Sequence, residues 1–189
     1  MLKQKTGITC EQFEEMCLHG ELGDQKCELL DGEIVFLAPG GPEHSGVTGN
    51  AYFQIRTFVE KHHIGRVFTN ETGIHTRQKP ARTRGMDVAY ISYKRLPKGK
   101  LPKGFFRIPP ELIVEVLGED CGWADMKVKV AEYHDMGVDM IWVADPARMT
   151  VTQFPRDGKE NEIATTGVIE GGAILPGFKA KVASFFDTE

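Results

Sequence analysis

Two apolar runs of strand length, "LIVEV" at 112–116 and "MIWVAD" at 140–145, enclose a stretch with apolar residues at helical spacing, "WADMKVKVAEYHDMG" at 123–137. Runs without polar alternation describe strands covered on both faces, and a helix between them describes a layered α/β protein, not a series of hairpins. Met126, Val130, Tyr133 and Gly137 form the inward stripe of that helix. One residue conflicts with the frame. Glu115 is a lone carboxylate inside the first run, where an uncompensated charge is expensive.

The remaining chain supplies further elements. Thr9 and Gln12 have the spacing of a capping box, opening a short helix with Phe13, Met16 and Cys17 on its buried side. "CELLDGEIVFLAP" alternates around Asp31-Gly32, a strong hairpin signal. A long helix is predicted over 43–63, with Val47, Ala51, Phe53, Ile55, Phe58 and Val59 recurring at spacings of three and four. "GRVFTNETGIHTRQ" and "RGMDVAYISY" read as strands, and the Pro/Lys/Gly-rich segment 97–110 as a long mobile loop. From Thr150 onward, strands separated by "RDGKE" and "EGG" end in a short amphipathic piece, "VASFF". A length of 189 residues without internal repeat or linker predicts one domain.

Charge and cysteine usage narrow the function classes. A net charge of -4 gives no general basic footprint for nucleic acid, so any phosphate-binding surface must be local. Two segments qualify: "RQKPARTRG", with Arg77, Lys79, Arg82 and Arg84, and "YKRLPKGKLPKGFFR", with Lys98 and Lys100; on spacing alone both read as solvated loops. Cys10, Cys17, Cys27 and Cys121 show no CxxC pair, which predicts free thiols in a cytoplasmic protein, and no run has the length of a membrane span. GxSxG, P-loop and GxGxxG patterns are missing, which removes the usual support for serine hydrolase, NTPase and dinucleotide-binding readings.

The chemistry converges on three residues. Asp87 is the carboxylate of "MDVAYIS", again at the mouth of an apolar strand, and neighbouring strands would bring it to Glu115 at one sheet edge. Facing carboxylates repel unless a cation lies between them, and hard oxygen donors suit Mg²⁺. Lys129, on the flank of the following helix, can run its stem along the core and bring its ammonium to that edge; Lys127, on the opposite flank, competes for the role. Other readings exist for each part. Asp125 and Lys129 have the spacing of a surface ion pair, Glu115 alone could meet a buried arginine, and Asp87 could cap a strand. Glu28 reads as a strand charge and His44 as a helix-start residue.

The order of acid, acid followed by Val, then Lys on a helix resembles the PD-(D/E)XK nuclease superfamily in its helix-lysine version. More closely, "CELLDGEIVFLAPGGPEH", "MDVAYIS", "PPELIVEVLGED", "DMKVKVAEYHDMGVDMIWVADP" and "LPGF" are similar to the Uma-two family of restriction endonucleases, from about Ile8 to Phe186. That resemblance implies a restriction-endonuclease-like core, a mixed twisted sheet flanked by helices and extended by hairpins. It implies Asp87 and Glu115 as metal ligands, with the Val116 main-chain carbonyl as a third donor. It selects Lys129 over Lys127 through the Lys-x-x-x-Tyr spacing to Tyr133 and matches Glu28 to an acidic residue of the family's first hairpin; Glu28, Tyr133 and Asp125, the last two one turn from Lys129, take supporting places. Met86, Cys27 and Gly118-Glu119 depart from the family pattern without removing a ligand.

The reading that follows is Mg²⁺-dependent phosphodiester hydrolysis of nucleic acid, DNA in the first instance, with Mn²⁺ as a substitute. A homodimer in the bacterial cytoplasm would cut both strands. The rivals are a catalytically silent scaffold that binds nucleic acid or protein, and a hydrolase of small phosphate esters.

Overall fold

The structure, a computed structural model, describes residues 7–118 and 122–187; Glu119 and Cys121 lie outside the described residues. Its first helix, α1 (Cys10–Leu18), is opened by the predicted capping box, the Thr9 hydroxyl accepting from Gln12 N–H and the Gln12 side chain accepting from Thr9 N–H. Strands β1 (Cys27–Leu30) and β2 (Glu33–Phe36) form a hairpin whose turn residues, Asp31 and Gly32, have φ of 53° and 80°. That turn needs both residues in the left-handed region, which Asp-Gly tolerates. Helix α2 (Pro42–His62) buries Val47, Ala51, Ile55 and Val59, one side chain per turn. Phe53, predicted to share that stripe, is instead 69% exposed, because two residues from Ala51 is the far side of a helix with about 3.6 residues per turn.

Strands β3 (Gly65–Gln78) and β4 (Ala81–Ser92) make a long ribbon. β4 begins earlier than predicted, which turns Arg82 from a loop residue into a strand residue and puts Arg84 well inside the strand it was expected to open. β5 (Leu112–Val116), α3 (Trp123–Met136) and β6 (Met140–Asp145) form the crossover unit, with β5 and β6 parallel. β7 (Thr150–Pro155) and β8 (Asn161–Ala164) extend the sheet; β9 (Val168–Glu170) and β10 (Lys179–Lys181) pair separately and lead into a 3-10 turn at Val182–Phe185. The main sheet has eight strands in the order β2-β1-β4-β5-β6-β7-β8, with β3 on the other edge of β4.

Alternation along β5 divides the core. Leu112, Val114 and Val116 pack with the α2 stripe, Trp142 and Phe185 on one face. Ile113 packs with Met126, Val130, Tyr133 and Ile141 on the other. Glu115 shares parity with Ile113, so its side chain emerges beneath α3. The segment 97–110 contains no named strand but is tied down: Phe106 is buried, its N–H donates to Gly73 O, and its carbonyl accepts from His75 N–H. The expectation of a loose loop fails there because aromatic burial and backbone pairing anchor it.

Candidate active site

A fork in the sheet creates the site. One edge of β4 pairs with β1 at Thr83 and with β5 from Val88 onward, so between these points no strand among the described residues lies against it. Side chains supply the hydrogen bonds a strand would have made. The Gly85 N–H donates to Glu28 Oε1 at 3.1 Å, and the Gly85 carbonyl faces the Lys129 ammonium at 3.4 Å and the Tyr133 hydroxyl at 3.5 Å. On the β5 side, the Val116 N–H donates to Asp87 Oδ2 at 2.8 Å. Asp87 therefore does cap a neighbouring strand, as one simple reading allowed. Continuing the β4–β5 register by one pair sets Asp87 opposite Glu115, on the same face.

Glu115 is 2% exposed and both of its oxygens are held. Lys129 Nζ donates to Oε2 at 2.7 Å and the Tyr133 hydroxyl donates to Oε1 at 2.8 Å. The spacing of four along α3 puts both donors on one helix face. Lys129 also stands 4.0 Å from Glu28 Oε1. Lys127 points elsewhere, exposed and 3.8 Å from Glu160. Asp125 lines the cleft and makes no described pair with Lys129, whose ammonium is drawn inward by the buried carboxylates.

Electrostatics set the two carboxylates apart. For Glu115, burial opposes ionisation and Asp87 adds like-charge repulsion; Lys129 and Tyr133 offset this only in part, and its pKa is pushed up to about 7. Burial also opposes ionisation of Asp87, but His44, Lys129 and the Val116 N–H outweigh it and hold that carboxyl below its ordinary value. The Lys129 ammonium is stabilised against its own burial by Glu115, Glu28 and Asp87. A cleft of about 890 Å³ opens on this cluster, lined also by Arg82, Arg84 and the Pro39–Pro42 turn.

Residues 10–183 match the Uma2 (Uma-two) family, described as "Putative restriction endonuclease". The chain belongs to this family. The crystal structure of "a putative nuclease belonging to DUF820 from Anabaena variabilis ATCC 29413" is similar at a TM-score of 0.79, covering 95% of this chain and 97% of that chain with 19% identity. At that identity the likeness is one of fold, and it agrees with the restriction-endonuclease-like α/β core. No curated protein matches the chain.

In this Uma2 protein the basic residues do not form one surface. Arg84, on β4, is largely buried and clamped between Glu28 Oε2 at 2.8 Å and Glu132 Oε2 at 3.0 Å. Arg82 bridges Glu132 at 2.9 Å and Asp31 at 2.6 Å, and Arg77 also pairs with Asp31. Their expected solvated-loop setting is thus corrected: strand pairing places these guanidinium groups among carboxylates. Lys79 is exposed at the β3–β4 turn. Lys98 and Lys100 follow the far end of β4, where Lys98 Nζ lies 4.9 Å from the Tyr93 ring centroid. The strands run away from the fork there, so the two basic segments do not converge.

Sequence reasoning gave His44 only its helix-start place, which the structure bears out, and passed over Glu132. His44 Nε2 is 3.3 Å from Asp87 Oδ2. Its signal was its place one turn before Val47 on the buried stripe of α2. Glu132, beside Tyr133, receives Arg82, Arg84 and the Thr76 hydroxyl.

Among the described residues, no three His, Cys, Asp or Glu side chains stand together at metal-ligand spacing. Magnesium does not require that, since one or two carboxylates with waters and a phosphate complete its shell. With Glu115 ionised, Asp87 and Glu115 against Lys129 leave one negative charge in excess, and Asp87 Oδ1 takes no hydrogen bond from any described residue. The donor set fits a hard divalent cation. No helix among the described residues is long and apolar enough to cross a membrane.

Proposed function

We propose that the protein is a Mg²⁺-dependent endonuclease hydrolysing phosphodiester bonds of DNA. The observation that carries this reading is the meeting of Asp87, Glu115 and Lys129 at the sheet fork, opening on a cleft. Asp87 and Glu115 would hold the ion with the Val116 main-chain carbonyl, and Mn²⁺ would substitute. When bound, such an ion supplies Lewis-acid polarisation of phosphoryl oxygen and a more acidic water. Lys129 keeps a fixed positive charge at the edge of the cleft, where it offsets negative charge developing on the phosphoryl oxygens. Tyr133 holds the second oxygen of Glu115, so the carboxylate cannot turn away, and Glu28 steadies Lys129 from its other side. Lys79 on the fork side, with Lys98 and Lys100 beyond the far strand end, would meet backbone phosphates, while Arg77, Arg82 and Arg84 are engaged by Asp31, Glu28 and Glu132. Cutting both strands calls for a two-fold dimer.

The test is plasmid nicking with Mg²⁺ or Mn²⁺. Asp87→Asn and Lys129→Met should each slow it by about 100-fold or more. Variants as active as the wild type would exclude this site. A silent binding scaffold is favoured by one observation, the pairing of Arg82 and Arg84 with carboxylates. It predicts metal-independent binding without cleavage. A shallow salt dependence of binding would instead indicate a small phosphate ester.

A further inference from the structure

His44 lies in the first turn of α2, two residues after Pro42 begins the helix. It extends the stripe Val47–Ala51–Ile55–Val59 by one turn, past the packed core and into the cleft. Its Nε2 reaches Asp87 Oδ2 at 3.3 Å, the same oxygen that accepts the Val116 N–H at 2.8 Å. Donors from a helix and from a strand thus meet on one oxygen, while Oδ1 takes no hydrogen bond from any described residue. The imidazole passes close to two glycines. A Cβ at Gly40 would stand 3.0 Å from its Nδ1, and one at Gly118 would stand 3.9 Å from its Cδ2. A side chain at residue 40 would therefore press on this ring and make it give by a few tenths of an ångström.

We infer that His44 is a positioning residue for the divalent ion: by donating its Nε2–H to Asp87 Oδ2 it fixes the carboxylate so that Oδ1 is presented to the metal, and Gly40 keeps the space the ring needs. This rests on the metal-dependent reading above. A ligating carboxylate held by an outer hydrogen bond pays less to be ordered when the ion arrives, and loss of such a partner typically weakens metal affinity by about 10- to 100-fold. Asp87 rises from a β-strand, and without His44 its carboxylate would keep only the Val116 N–H as a described hydrogen-bond donor. Val116 belongs to β5 and stays in place when the helix residue is changed, so the two supports can be separated.

The experiment is a titration of the full chain with Mn²⁺, without nucleic acid, following free ion by its paramagnetic resonance signal. His44→Ala should weaken binding by about 10- to 100-fold. His44→Gln, which restores an N–H donor, should recover a large part of the loss, a rescue that a merely structural role would not show. Gly40→Val, at an exposed position, should weaken binding in the same direction by displacing the ring. Wild-type affinity in His44→Ala overturns the inference. If His44→Ala fails to fold, Gly40→Val decides, and unchanged affinity there overturns it. A wild-type protein that binds no Mn²⁺ overturns the metal reading itself and the inference with it, a result separate from the others.

Discussion

Glu14 and Glu115 are both buried glutamates with cationic or hydrogen-bonding partners, yet their environments act in opposite directions. Glu14, on α1, accepts the Phe105 N–H at 2.6 Å on one oxygen, and on the other Arg107 at 2.6 Å and His75 at 3.2 Å. Burial alone would raise its pKa, but these donors hold it below the ordinary value. Glu115 also has both oxygens bonded, but it is buried more deeply and faces Asp87. Partner number therefore does not distinguish a structural carboxylate from the one proposed to hold a metal ion. The distinction lies in whether the donors outweigh burial and like charge, and a site where they do not is poised to take a further cation.

The largest effect that could break this comparison is on activity. Glu115→Gln should reduce plasmid nicking by about 100-fold or more. It should cost the chelator-treated protein less urea resistance than Glu14→Ala does, because the loss of a partner for Lys129 is offset in part by removal of a disfavoured charge. If the variant unfolds early, the two glutamates are alike after all. Glu14→Ala should do the reverse. With a buried arginine-and-histidine cluster left without its acceptor, unfolding free energy should fall by about 3 kcal/mol, with nicking per folded molecule preserved.

Gly104→Ala sharpens the same contrast from the opposite side. Gly104 has φ of +77°, and a Cβ there would lie 1.7 Å from Glu14 Oε1. Strain and displacement of the carboxylate should together cost about 2 kcal/mol in urea unfolding. Acid should weaken the donor-rich clusters selectively. The folded-state pKa of Glu14 is lowered, and so is that of Glu132, where Arg84, Thr76 and Arg82 outweigh burial. Their stabilisation is complete above the unfolded glutamate value of about 4.3 and is lost as pH falls through the lower folded values. Urea midpoints measured from pH 6 down to 3 should drop less steeply in Glu14→Gln and Glu132→Gln than in the wild type. The smallest effect concerns the far basic segment: Lys98→Ala should reduce the salt slope of DNA binding by about one. An unchanged slope would remove that segment from the interface.

Much of the fold could be read from the residues because their local preferences agree with the final packing. Asp31-Gly32 needed only turn chemistry, and the α3 stripe needed only helical periodicity. The geometry of the candidate site was readable for a related reason: a lone charge in an apolar strand, as at Glu115, demands a partner, which Lys129 supplies. Other features depended on contacts remote in sequence. Glu14 occupies the helical position four after Cys10, on a stripe expected to be apolar, and its donors come from the segment near Phe105 and Arg107. Arg82 and Arg84 looked solvated because their carboxylate partners lie on β1, its turn and α3, distant in the chain. Phe53 misled because apolar character was read without its angle around the helix.

The fork has a consequence for the behaviour of the protein in concentrated solution. A stretch of β-ribbon without a neighbour is a template on which another molecule's extended segment can dock, and natural proteins shield such edges with inward-pointing charges. Glu28 from β1, Lys129 from α3 and Asp87 of β4 itself occupy that role at the open edge of β4. Variants that strip several of them together would therefore do more than silence chemistry: they would uncover a sticky edge, and aggregation would accompany inactivity.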